Sequence, residues 1–199
     1  MSSITLFRLS GWAGILCGSL IIIDTLFIEL FLPLNALTNS FGQLAVILAL
    51  LVLTGMYLWH RPAGGILGDI GYIVNFIGLV LLVGVDFAGN YILPYLNQSA
   101  TQELFAGPTR FMFLISALVF LAGVVMFGRA IFRARVFPPL AAWMYMIGFG
   151  LYSLSPFLPD VIVRIAQVTG SLAVMWFGYV LITRTMSTEA RSMIRPSTT

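Results

Sequence analysis

Residues 43–89 read QLAVILALLVLTGMYLWHRPAGGILGDIGYIVNFIGLVLLVGVDFAG. Two apolar runs, each near or above the roughly 18 residues that mark a helix crossing a hydrocarbon layer about 30 Å thick, flank the break Arg61-Pro62-Ala63-Gly64-Gly65. A charged residue, a proline and paired glycines between such runs spell a turn at a membrane surface.

The same alternation extends in both directions. Upstream, residues 11–32 form an apolar run that stops at Pro33, and a polar loop leads to Asn39 or Ser40 as cap of the second span, 40–60. Downstream, the third span covers 66–89. The long connection 90–108 contains Ser99-x-x-Gln102, the spacing of a capping box opening a short surface helix to Phe105. Spans over 109–128, 138–156 and 160–183 follow, bounded by Pro108, by Pro138 and Pro139, and by Pro156 and Pro159, with Asp160 as cap of the last. The reading is an all-α, polytopic membrane protein with six transmembrane helices. Residues 1–184 make one domain, and the polar segment 185–199 is a disordered cytoplasmic tail.

Composition agrees. Of 199 residues 60% are hydrophobic and only 9% charged, against roughly 25% charged in soluble domains. An apolar start preceded by Arg8 resembles a signal peptide, but it has no small-x-small cleavage site before a polar chain, so a retained first helix is expected.

Every basic residue is an arginine, and the arginines sort by side. Arg8, Arg61, Arg129, Arg133, Arg135, Arg184, Arg191 and Arg195 fall at span ends that share one face; Asp24, Glu29, Asp86, Glu103 and Asp160 fall toward the other, with Arg110 and Arg164. The positive-inside rule makes the arginine-rich face cytoplasmic, with both termini there, in a bacterial-type plasma membrane. Three span ends repeat as Gly55-Met-Tyr-Leu-Trp-His-Arg61, Gly123-Val-Val-Met-Phe-Gly-Arg129 and Gly178-Tyr-Val-Leu-Ile-Thr-Arg184. This fits three copies of a helical hairpin, although orientation alone also demands interfacial arginine.

Several chemistries lack their residues. Without lysine there is no retinal Schiff base; a lone Cys17 makes no disulfide framework; a lone His60 makes no bis-His haem or histidine metal cluster. Arginines spread over helix ends do not form a nucleic-acid surface. His60, between Trp59 and Arg61, is expected to face headgroups in an aromatic belt. No cofactor, metal or catalytic residue is expected, and the chain is read as not an enzyme.

Acids inside hydrocarbon are costly and default to functional candidates. Asp24 lies within the first span; Glu29, five residues on, is turned about 140° away on an α-helix and is expected at the helix end in water. Asn75, Asp86 and Asn90 share one face of the third span, with Leu79 and Leu82 between. Arg164 and Gln167 share a face of the sixth. Asp160 stands four residues before Arg164, in the order that favours a local pair, and an acid on a neighbouring helix is the other way to hold that arginine. Asp24, Asn75, Asp86, Arg164 and Gln167, with Arg110 at the rim, are therefore the candidate lining of a polar cavity in the outer half. Such a cavity suits binding or transport of a small solute or lipid. The alternative is a non-catalytic subunit, scaffold or assembly factor that offers its apolar flank to a membrane protein or a second copy of itself. Membrane lipids are expected partners in either case. Gly14-x-x-x-Gly18 marks a close helix contact, whereas Gly64-x-x-x-Gly68 straddles a turn.

Overall fold

The structure, a computed structural model, describes residues 3–33 and 35–194. The elements among them are helical, with no strand. Helix α1 (Ser3–Ile23) runs through a π-helical turn (Asp24–Ile28) into a last α turn (Glu29–Phe31). Then come α2 (Ala36–Tyr91), the short α3 (Gln98–Ala106), α4 (Thr109–Ala134), α5 (Pro139–Ser153) and α6 (Asp160–Ile194). Among the described residues, four stretches are long and apolar enough to cross a membrane: Ile4–Phe31, Leu37–Tyr95, Thr109–Ala134 and Asp160–Met186.

The 56 residues of α2 do not form one rod. At Gly65 the backbone takes φ 57°, ψ −168°, a region that side chains resist, and the chain doubles back at the break read from the sequence. The two arms run antiparallel and are tied along their length. Ser40 Oγ and Tyr91 Oη are 2.9 Å apart, Thr54 Oγ1 and Tyr72 Oη 3.3 Å, and Tyr57 Oη donates to Asp69 Oδ1 at 2.7 Å. Stacking of Tyr57 on Tyr72, with ring centroids 4.1 Å apart, closes the hairpin near its turn.

Helix ends differ from the sequence reading where a side chain outcompetes the expected cap. Asn35, rather than Asn39 or Ser40, caps α2: its Oδ1 accepts from Leu37 N and Thr38 N, and Thr38 Oγ1 accepts from Asn35 N, a reciprocal capping box. Asn97, rather than Ser99, caps α3 by accepting from Ala100 N at 2.8 Å, and the Ser99 hydroxyl donates to the same oxygen. Helix α4 runs past Gly128 to Ala134 and stops where Arg135 turns left-handed, at φ 53°. Helix α5 has 15 residues, about 22 Å of rise, and gives way to the 3-10 turn Ser155–Phe157, so it is shorter than the span expected over 138–156. Helix α6 continues to Ile194, past the point at which the segment from Thr185 is expected to leave the helix; residues 195–199, with Arg195, lie outside those described.

The most extensive helix contacts are α2 with α4 and α1 with α6; α1 also meets α2, and α5 bridges α4 and α6. The α1–α6 contact is a small-residue seam. A Cβ on Gly14 would stand 3.1 Å from Gly178 Cα, and one on Gly18 would stand 2.6 Å from the Ser171 carbonyl, so the Gly14-x-x-x-Gly18 face is a true contact face. Phe7 meets Trp59 edge-on at 5.0 Å and Arg184 donates to the Val136 carbonyl at 2.6 Å, which gathers the arginine-bearing helix ends at one end of the bundle. The core centres on Phe127, Phe177, Met56 and Ile131, while Phe31, Ile66, Phe111 and Ile165 stand exposed. Large apolar side chains outside as well as inside suit a hydrocarbon solvent and not water.

Candidate functional site

Away from the arginine-rich end, α1, both arms of α2, α4, α5 and α6 enclose a cavity of about 270 Å³. Its acidic rim is made by Asp24, Glu29 and Asp86, with Asn90 and Gln167 beside them. Its floor is apolar and aromatic, including Cys17, Met56, Leu79, Phe120 and Tyr145.

The π-helical turn decides how the rim is built. On an α-helix Glu29 points away from Asp24; in the wider i→i+5 turn, with Glu29 N donating to the Asp24 carbonyl, a residue five positions on returns to the same side. Both carboxylates therefore line the cavity, which corrects the expectation that Glu29 lies apart. The same turn offers the Thr25 carbonyl to a neighbour. Arg164 Nη1 takes it at 2.7 Å and pairs with Glu29 Oε2 at 2.9 Å. Arg164 is thus held by α1 and not by Asp160.

Asp24 and Asp86 have no such partner: among the described residues neither makes a hydrogen bond or ion pair. The Asp24 carboxylate lies against the α2 backbone at Gly42, where a Cβ would stand 2.7 Å from Oδ2. Gly42 carries no signal in the sequence, because only a neighbour from another helix makes its missing side chain matter.

On the second arm of α2 the stripe Asn75, Leu79, Leu82, Asp86 and Asn90 faces inward as read. Asp86 and Asn90 reach the cavity, but Asn75 sits below it, fully buried. Its Nδ2 donates to Tyr145 Oη at 2.5 Å and its Oδ1 has no partner among the described residues. Asn75 therefore positions the Tyr145 ring that closes the floor and does not line the cavity itself.

Gln167 is at the rim. Arg110 is elsewhere: it stands exposed beside a second, more apolar groove of about 680 Å³, its guanidinium 5.9 Å from the Phe111 ring centre. That groove shares Leu82, Asp86, Phe120 and Tyr152 with the cavity.

His60 does not face headgroups. It is fully buried at the α2 turn, with Nδ1 2.8 Å from the Met56 carbonyl, Phe127 edge-on at 5.1 Å and Nε2 without a partner among the described residues. Gly64 and Gly68 make room for it, since a Cβ on either would come within 3.2 Å of the imidazole. Among the described residues no group of histidines, cysteines and acids has the spacing of a metal site. No protein-family model matches this chain, and no curated protein or solved structure matches it.

Proposed function

We propose that the chain is a multi-pass membrane protein that binds, or carries, a small solute in this cavity, without catalysis. In this reading the antiparallel arms of α2 each cross the bilayer, as do α1, α4, α6 and the shorter α5, for six crossings. Both termini lie with the arginines on the cytoplasmic side of a plasma membrane. The cavity then opens in the outer half.

The observation that carries the reading is the convergence of Asp24, Asp86 and Gln167, from three separate helices, on one space with an aromatic floor. Two of those groups are carboxylates with no hydrogen-bond or ion-pair partner among the described residues, at a depth where an idle charge costs several kcal/mol. Pockets with a few convergent polar groups on an apolar lining are how small ligands are held.

Native mass spectrometry of the protein released from mild detergent tests this. A small molecule retained by the wild type and lost from Asp86→Asn, with both proteins equally folded, is the expected result. Equal retention by the wild type and Asp86→Asn would remove Asp86 from the site, and a stoichiometric protein partner in place of any small molecule would shift the reading to a subunit or scaffold.

A further inference from the structure

We infer that the cavity's ligand is a single-chain amphipathic amine, its ammonium group among the carboxylates of Asp24 and Asp86 and its apolar tail in the adjoining groove. This rests on the binding role proposed above and names the ligand class.

Charge sets the head group. Asp24, Glu29 and Asp86 line the cavity, and the cation at its edge, Arg164, is occupied by Glu29 and the Thr25 carbonyl. An anion would meet Asp24 and Asp86 with no opposing charge, whereas an ammonium supplies the missing partner to both and donates hydrogen bonds to their oxygens.

Shape sets the tail. The cavity floor is closed by buried Met56, Cys17 and Tyr145, so a ligand longer than the 270 Å³ space must leave sideways. The way out is the groove that meets the cavity at Asp86, Leu82, Phe120 and Tyr152. Its walls include Phe113, Leu114, Leu118 and Phe157, and the last three stand exposed on the apolar flank of the bundle. A chain lying there is in contact with protein on one side and lipid on the other, which is also a route of entry. A phospholipid amine fits less well, since its phosphate, a few atoms from the ammonium, would come close to Asp24 and Asp86.

The test is displacement of tritiated butylammonium from the full chain in lipid nanodiscs, corrected for partition into empty discs. Competitors are butyl-, hexyl- and octylammonium, with octanol, octanoate and a lyso-phosphatidylethanolamine. The expected result is saturable butylammonium binding, affinity rising roughly fourfold per methylene along the ammonium series, and no displacement by octanol or octanoate. Ala117→Trp, which fills the groove, should bring octylammonium down toward the wild-type butylammonium value, a loss on the order of a hundredfold. If the Trp variant does not fold, Ala117→Leu takes its place with a smaller loss in the same direction.

Ammonium binding with no dependence on chain length would overturn the tail groove and leave the cavity reading standing. Displacement by octanol as strong as by octylammonium would overturn the charge assignment. Lyso-phosphatidylethanolamine displacing better than octylammonium would replace the single-chain amine by a phospholipid. Folded wild type that binds none of the probes would overturn this inference together with the binding role beneath it.

Discussion

Arg164 shows what one residue owes to its neighbours. Its side chain is 28% exposed and that of Glu29 34%, so their 2.9 Å pair is partly screened and is worth on the order of 1 kcal/mol. Arg164→Gln and Glu29→Gln should each lower thermal stability modestly, and the double variant should lose less than the sum, with a coupling of about 0.5–1 kcal/mol in a double-mutant cycle followed by thermal unfolding in detergent. Additive losses would mean that the two side chains do not act as a pair in solution. Sequence alone reaches part of this. An arginine on the side that the charge rule disfavours signals that something holds it, and both a local and a neighbouring acid were open. The choice between them depends on the turn at residues 24–28, which no spacing rule announces.

At the scale of the element, that π-helical turn amounts to one extra residue in α1. Its removal is therefore a defined experiment. Leu26, exposed on the outer side of the turn, can be deleted to let α1 continue as an ordinary helix. The shortened protein should retain its helix content by circular dichroism. Glu29 then follows Asp24 by four residues, about 400° or one turn plus about 40° on an α-helix, so it stays on the cavity side and its coupling to Arg164 should persist at about 0.5–1 kcal/mol. Loss of that coupling in the deletion variant would show that the turn is more than a one-residue insertion and that its wider geometry is needed to position Glu29. Other elements were more legible. The hairpin in α2 follows from Gly64-Gly65 beside Arg61-Pro62, and the seam between α1 and α6 from Gly14-x-x-x-Gly18, because backbone reversal and close approach each need residues that few others replace. Caps were less legible, because Asn35 and Asn97 compete with nearby polar residues that have similar propensity. His60 was misplaced for a related reason: its position beside Trp59 and Arg61 suits an interface, while its burial depends on Gly64 and Gly68 across the turn.

For the whole molecule, the arginine-rich end and the acidic cavity lie at opposite ends of one bundle, and this opposition joins topology to function. The contacts of Phe7 with Trp59 and of Arg184 with Val136 gather the arginine-bearing ends, while Asn39 bonding to Asn90 and Arg164 bonding to Glu29 mark the other end. If the arginines face the cytoplasm, the cavity and α3 face outward, and a ligand would meet the site from outside or from the outer leaflet. Cys17 is buried and is the chain's sole cysteine, so a Cys17→Ala background leaves no thiol and single probes can be read cleanly. Gln98→Cys on α3 should react with a membrane-impermeant maleimide in intact cells. Ala63→Cys at the α2 turn should react only after the membrane is opened; both positions are exposed, so access to solvent is not the variable. The reverse pattern would invert the protein and turn the cavity toward the cytoplasm, and labelling of both positions in intact cells would contradict a continuous crossing between residues 63 and 98. Since the second arm of α2, which separates these positions, carries Asp86, the outcome also decides from which side of the membrane that carboxylate meets its ligand.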